Sequence, residues 1–327
     1  MNPAEVAEKA GTSPAYVWRV IQGKQRPNAR LMPYLNLLDG RSREMYFSQR
    51  KEATWADHID VLQKLDKLVA YHHQTPLEIA IDIPTDKPIA LCFTADWQLG
   101  QPGLDYDSFK RDVQTWRKTD GLWVCPGGDG YENIIQPSKV GSGHNQGPIC
   151  VQKALYVLTL KELAHRIAFI GTGNHNYWTT LMDGEDWDAE LAQRIKLIYT
   201  KHGARIYLKV GKITYPILRM HKGRFNSSFN LTHTCKQYQR VHFPESRIIV
   251  VEHQHVGAVE QYRYNEAECC AIRTGTYATY DDFALSNGFY GNHVCNPTVV
   301  LYPDRDHMVP FKTHQDALLY LKAVRGE

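Results

Sequence analysis

The chain has 327 residues, 43% of them hydrophobic and 22% charged, with 23 Gly and 16 Pro. These values exclude wholesale disorder, collagen-like repetition and coiled coil, and no apolar run approaches the roughly 18 residues of a membrane span. The formal net charge is only +3, but its distribution is uneven. Residues 1–50 hold eight basic side chains (Lys9, Arg19, Lys24, Arg26, Arg30, Arg41, Arg43, Arg50) against four acids (Glu5, Glu8, Asp39, Glu44), so this segment is basic and the rest is near neutral. A basic, compact segment on a near-neutral body suggests contact with a phosphate backbone.

Met1–Ala10 lacks the basic-then-apolar order of a secretory signal, so a cytosolic location is expected. Seven cysteines (Cys92, Cys125, Cys150, Cys235, Cys269, Cys270, Cys295) form no Cys-x-x-Cys pair, and their number is odd. That argues against a disulfide framework or a zinc ribbon and for reduced thiols. Several of the fifteen histidines stand beside Asn, Asp or Gly rather than on apolar faces, as metal ligands do.

In chain order, Glu5–Ala10 is expected to be helical and Gly11 to break the helix. Ser13 and Pro14 then make an N-cap and a first-turn proline for a second helix through Ile21. Val6, Ala10, Val17 and Val20 are spaced so that two short helices cross and bury one another's inner faces. The string AEKAGTSPAYVWRVIQGKQRPNARL resembles the helix-turn-helix of Cro-like phage and bacterial repressors. The resemblance implies a recognition helix from Ser13, with Pro14, Ala15, Tyr16 and Arg19 towards the groove of DNA and Lys24 and Arg26 near phosphates. Met1 stands close to the first helix, so the helix that precedes it in such repressors is expected to be absent. A role in protein contact is the alternative.

Residues 41–87 read as a connector between a 1–40 helical domain and an 88–327 main domain. Trp55, Ile59, Leu62, Leu65 and Leu68 or Val69 recur at three- and four-residue spacing within Glu44–Tyr71, which predicts one amphipathic spacer helix. A dimerising helix, and with it a homo-oligomer, is the functional alternative. An extended, proline-bearing lead follows over Thr75–Pro88.

From Pro88 on, short apolar runs end in polar clusters. Ile89–Thr94 predicts a buried strand ending in Asp96, Trp97, Gln98, Leu99, Gly100. Leu122–Val124 runs into GGDGYEN at Gly127, and Ile167–Ile170, after the apolar helix Val151–Arg166, runs into GTGNHN at Gly171. Later, Ile213–Met220 leads to His221 and Arg247–Val251 to Glu252, His253, Gln254, His255. Packing alone does not require such polar strand ends. His-x-His on an extended segment turns both imidazoles to one face, a spacing suited to adjacent metal ions.

The order of these blocks, DWQLG, GGDGYEN, GTGNHN, a single His and EHQHVG, resembles the calcineurin-like metallophosphoesterases over about Pro88–Lys312. The DWQLG block is similar to that of DNA-repair exonucleases in this superfamily, and RTGTY at Arg273 to segments of phage-encoded members. The resemblance implies a four-layer α/β/β/α sandwich with a small N-terminal helical domain, in the cytoplasm of a bacterium or a phage-infected host. It implies a two-metal phosphodiesterase or nuclease acting on nucleic acid, DNA first. By motif matching Asp129 bridges two divalent ions; Asp96, Gln98 and His255 complete one site, and Asn174, His221 and His253 the other. His175 stabilises or protonates the leaving oxygen.

This chain departs from the pattern twice. Gln98 stands where the family has histidine, and its hard oxygen tilts preference towards Mn²⁺ or Mg²⁺ over Zn²⁺ or Fe. Glu252 stands where the family has glycine and could accept from a ligand histidine. Lys139, Lys222 and Arg224 are candidate phosphate contacts, and Phe225 or Phe229 a stacking surface. Two other readings stay open: the same chemistry on a small nucleotide or cyclic nucleotide, and a DNA-binding pseudoenzyme.

Overall fold

The computed structural model describes residues 1–48, 54–73, 77–135, 138, 145–280, 285–286, 288 and 293–327. The chain divides into two compact units, Met1–Gln74 and Thr75–Glu327.

In the first unit, Asn2 opens α1 (Pro3–Lys9) with a capping box: its side chain accepts from Ala4 and Glu5, and the Glu5 carboxylate takes the Asn2 N–H. Ser13 caps α2 (Pro14–Ile21) through the Tyr16 N–H, with Pro14 in the first turn. Val6, Ala10, Val17 and Val20 are buried together with Ile21, Leu31 and Leu35, as their spacing predicts. Among the described residues the unit also holds a short 3-10 helix at Met32–Leu37 and the helices α3 (Gly40–Ser48) and α4 (Trp55–His73). The single spacer helix expected over Glu44–Tyr71 is therefore two. The second starts afresh because Thr54 and Asp57 cap it reciprocally: Asp57 Oδ2 accepts from the Thr54 N–H at 2.7 Å, and Thr54 Oγ1 from the Asp57 N–H at 3.2 Å.

The second unit begins inside the segment expected as an extended lead. Glu78–Ile83 is a strand, β1, because Ile79, Ile81 and Ile83 alternate inward and pair in parallel with β4 (Gly203–Val210). A six-stranded sheet runs β1-β4-β5-β6-β8-β7, with β5 at Ile213–Met220, β6 at Ile248–Val251, β7 at Ala258–Tyr264 and β8 at Ala267–Arg273. A four-stranded sheet runs β10-β9-β2-β3, with β2 at Ile89–Thr94, β3 at Leu122–Pro126, β9 at Thr298–Leu301 and β10 at Met308–Phe311.

The two sheets face one another through Ile79, Ile81, Leu91, Phe93, Ile206, Leu208, Ile217, Ile248, Cys270 and Val299. Outside the smaller sheet lie α5 (Tyr106–Lys118), α6 (Ile149–Leu163) and, at the C-terminus, α10 (His314–Arg325); Trp116, Tyr156, Leu160 and Leu321 pack with Cys92, Val124 and Val300. Outside the larger sheet lies α9 (His233–Val241), whose Cys235 packs on Leu218, Ile249 and Ala271. The result is the α/β/β/α stack. Between α6 and β4 come α7 (Asn174–Asp183) and α8 (Trp187–Ile195).

Ile167–Ile170, expected as a strand, makes single bridges instead, Val124 to Ile167 and Ile170 to Tyr199. The chain is still locked alongside β3, since Ala168 N–H donates to Val124 O and Gly171 N–H to Pro126 O, both at 2.9 Å. Among the described residues no helix is long and apolar enough to cross a membrane.

β2 and β3 are parallel, and so are β5, β6 and β8. Within each sheet, then, the polar clusters that follow these strands emerge at one edge. Phe93 lies between the two sheets beside this edge and is 1% exposed. Phe93→Ala should lower unfolding stability by about 3–5 kcal/mol in a denaturant titration, the cost of a buried aromatic plus its cavity.

Candidate metal centre

Five segments converge at that edge. After β2, the chain turns so that Trp97 is driven into the core while its neighbours Asp96 and Gln98 stay at the edge. The Trp97 ring stacks on Trp116 at 6.3 Å, meets Phe109 and Tyr156 edge-on, and donates Nε1–H to Thr94 Oγ1 at 2.7 Å. Five candidate ligands have left-handed backbones: Asp96 (φ 52°), Gln98 (46°), Asp129 (57°), His253 (74°) and His255 (57°). Such conformations cost on the order of 1 kcal/mol or more each and persist where the surrounding structure enforces them, commonly at functional sites.

One ligand atom from each of Asp96, Asp129, His221 and His253 lies within 4.8 Å of the others. His221 Nε2 is 3.0 Å from Asp129 Oδ2, without hydrogen-bond alignment, and 3.2 Å from Asn174 Oδ1. His253 Nδ1 is 3.9 Å from the same Asp129 oxygen. On the other side, His255 Nε2 is 3.5 Å from Asp96 Oδ1 and 3.1 Å from Gln98 Nε2. Turning the Gln98 amide by 180° exchanges its oxygen for that nitrogen, and that rotamer is the one able to ligate. All seven predicted ligands are thus brought together, around Asp129.

The other lone pairs are spoken for. Asp129 Oδ1 accepts the His175 N–H at 2.8 Å and Asp96 Oδ2 the His253 N–H at 3.0 Å. The opposite oxygens, Asp96 Oδ1 and Asp129 Oδ2, and also His253 Nδ1, are buried without a hydrogen-bond partner. Orphaned acceptors beside imidazoles and amide oxygens fit divalent cations, which satisfy such atoms directly.

Glu252 supports this centre from beneath. Its carboxylate accepts from Arg219 Nε at 2.7 Å and Nη2 at 2.5 Å, from Gly128 N–H at 2.9 Å, and from His221 Nδ1 at 3.1 Å. The last contact orients the His221 ring, with Nδ1 towards Glu252 and Nε2 towards the centre, where a cation would take the place of its proton. Arg219 in turn donates to Lys201 O at 2.5 Å. A Cβ on Gly127 would run into the Glu252 carboxylate and one on Gly171 into the Arg219 guanidinium, so these two glycines are required by close approach.

Burial alone would disfavour a charged His221, but the Asp129 charge outweighs it and holds the imidazole up at about 10. Burial likewise opposes the Asp129 charge, and His221 and His175 overcome it, holding the carboxyl well below the usual range. His175 moves the other way: burial lowers it, with Asp129 offsetting only part. Its Nδ1 is 2.6 Å from Glu132 O, a carbonyl that can only accept, so Nδ1 carries the proton and Nε2 is the open nitrogen. Trp178 covers the ring at 4.3 Å between centroids.

The other predicted contacts stand elsewhere. Ala15, Arg19, Lys24 and Arg26 are exposed on the first unit. Tyr16, expected towards DNA, is buried with the helix core, and its hydroxyl bridges Arg26 O (3.0 Å) and Asn28 N–H (2.7 Å). Its aromatic ring packs better than it projects. Lys222 and Arg224 follow His221 directly and are exposed, as are Phe225 and Phe229; Lys139 lies outside the described residues.

Sequence reasoning missed Arg219 and Asn176. Arg219 reads as one charge in an apolar strand, and only Glu252 opposite explains it. Asn176 Oδ1 accepts the Gly130 N–H at 3.0 Å, while its amide donates to Asp188, whose carboxyl burial pushes up to about 7.

No family model matches the chain, and no curated protein matches it. Solved structures show partial similarity to the chain. A Staphylococcus aureus protein described as a proposed 5'-nucleotidase, in complex with alpha-ketoglutarate, is 15% identical over 69% of this chain, with a TM-score of 0.42; the match spans 53% of that chain. Zn-complexed Vps29 from Entamoeba histolytica is 12% identical, covering 67% of this chain and 89% of its own, with a TM-score of 0.35. A Saccharomyces cerevisiae protein serine/threonine phosphatase is 14% identical, covering 81% and 91%, with a TM-score of 0.36.

Glu252→Gln should weaken divalent-metal affinity about 10–100-fold in calorimetric titration, because His221 loses its orienting acceptor. The same change leaves Arg219 facing a neutral amide and should cost about 3–5 kcal/mol of stability.

Proposed function

We propose that the chain is a hydrolase, a two-metal-dependent phosphodiesterase that cleaves phosphodiester bonds in nucleic acid, DNA foremost. One observation carries this: four metal-binding side chains share a 4.8 Å cluster in which three ligand atoms are buried without partners. Asp96, Gln98, Asp129 and His255 would hold one cation, and Asp129, Asn174, His221 and His253 the other. Bound there, the pair supplies charge neutralisation on the non-bridging phosphate oxygens and acidifies water towards hydroxide at neutral pH.

The chain's own residues supply the rest. His175 is kept in one tautomer by Glu132 O and in one orientation by Trp178, so the open Nε2 is free to take up a proton and then pass it to the leaving oxygen. Lys222 and Arg224, exposed immediately beyond His221, are suited to the phosphates flanking the scissile bond, and exposed Phe225 and Phe229 to stacking on bases. Gln98 supports Mn²⁺ as the working ion, since an amide oxygen is a harder donor than imidazole.

The deciding test is cleavage of end-labelled single- and double-stranded DNA with added Mn²⁺, beside bis-p-nitrophenyl phosphate. Turnover of the small diester with no cleavage of DNA favours the nucleotide reading. DNA binding without any turnover favours a pseudoenzyme. Within an active protein, His175→Ala should leave metal stoichiometry unchanged and lower turnover by a factor on the order of 10². A lost ion in that variant would make His175 a ligand.

The basic N-terminal unit is proposed as a DNA tether, through exposed Arg19, Lys24 and Arg26. Arg19→Glu with Lys24→Glu should flatten the salt dependence of DNA affinity by about two units of logarithmic slope. Turnover of the small diester should not change, and an unaltered salt slope would assign these helices to protein contact.

A further inference from the structure

Helix α4 has no core of its own. Every side chain from Trp55 to Leu68 is exposed, including Trp55 at 78% and Leu62 at 59%. Yet the helix is not polar. At about 100° per residue, Trp55, Ile59, Leu62 and Leu65 fall within an arc of roughly 120° centred on Leu62. Asp57, Asp60, Lys64 and Lys67 occupy the opposite side. A lone helix of this length is marginal in water, and an apolar stripe exposed along it calls for a cover.

The stripe also carries two polar residues, His58 and Asp66, and they identify the cover. Both lie inside the same arc, about 40° to either side of Leu62. They are equidistant from it in sequence, four residues before and four after, just as Ile59 and Leu65 lie three before and three after. Within that arc the polar and apolar positions mirror one another around Leu62, while the exposed Val61 and Leu68 lie outside it on one flank.

From this symmetry we infer that α4 is a homodimerisation helix, packing antiparallel against α4 of a second copy with Leu62 at the two-fold axis. In that register Ile59 lies level with Leu65 of the second copy, and His58 with Asp66 of the second copy. Each acid on the stripe then meets an imidazole, a side chain with a hydrogen-bond donor to offer it. A parallel pair would instead set Asp66 against Asp66 on an apolar seam, which costs energy. Antiparallel packing also opposes the two helix dipoles.

The seam is about 28 Å long, for 19 residues at 1.5 Å each, which puts it near the low end of stable interfaces. A dimer in the micromolar range follows, dissociating on dilution.

Light scattering on the full chain tests this. At about 100 µM the mass should be that of two chains, falling towards one on dilution, and Leu62→Glu with Leu65→Glu should give one chain throughout. Register is read by oxidative cross-linking in a Cys150→Ser background, which removes the exposed native thiol. Leu62→Cys should cross-link, whereas Trp55→Cys should not, because copies of residue 55 would lie about 21 Å apart along the seam, beyond disulfide reach. A one-chain mass at the highest concentration would overturn the inference, with α4 then covered by its own chain or another protein. So would a dimer that survives the double leucine change, a Leu62→Cys variant that fails to cross-link, or cross-linking by Trp55→Cys as readily as by Leu62→Cys.

Discussion

The carboxylate of Glu252 is the point on which the centre depends. It gathers Arg219 from β5, the Gly128 N–H from the loop after β3, and the His221 ring from the loop after β5, so that one buried group ties both sheets together at their shared edge. An isolated carboxylate at 3% exposure would be very costly to keep ionised. Burial does oppose its charge, and the Arg219 guanidinium outweighs that, holding the Glu252 carboxyl below its ordinary range. A buried pair like this adds little net stability compared with an apolar core. What it gives is direction: His221 cannot rotate without abandoning Glu252, and Gly128 cannot shift Asp129 without abandoning it too.

That rigidity explains how strained backbone survives here. Asp96, Gln98, Asp129, His253 and His255 all sit in a region that non-glycine residues avoid, and each lies within four residues of the end of β2, β3 or β6. Trp97 is the clearest case, since its ring is held by three aromatic neighbours while the residues on either side bend outward. The strain belongs to the site and the restraint to the core.

Much of this was legible in the sequence because the informative residues follow strands. Apolar runs such as Ile89–Thr94 and Ile213–Met220 coincide with β2 and β5, and a polar residue placed directly after a buried strand has little freedom to go elsewhere. Asp96, Asp129, His221 and His253, far apart in the chain, come together at one edge. Less legible were features decided by partners far away in the chain. Glu78–Ile83 looks like a linker until β4 is present to pair with it, and Arg219 looks like a solvated charge until Glu252 lies across from it. Tyr16 shows the converse, because helical spacing alone does not say whether a tyrosine ring faces a groove or fills a core. Ile167–Ile170 had the composition of a strand but found only single bridges, one to Val124 of β3 and one to Tyr199.

The two halves of the proposed metal pair are not equally supported. Around Asn174, His221 and His253, the imidazole of His221 is 2% exposed, fixed by Glu252 and backed by Arg219. Around Asp96, Gln98 and His255, orientation comes from the Trp97 anchor and from an amide that faces His255 and must turn to ligate. Pre-oriented donors bind with less loss of freedom than donors that must rearrange, so the half around His221 is the one whose geometry is already set. Asp129 is common to both halves, so cation occupancy at Asn174, His221 and His253 would be coupled through its carboxylate to occupancy at Asp96, Gln98 and His255.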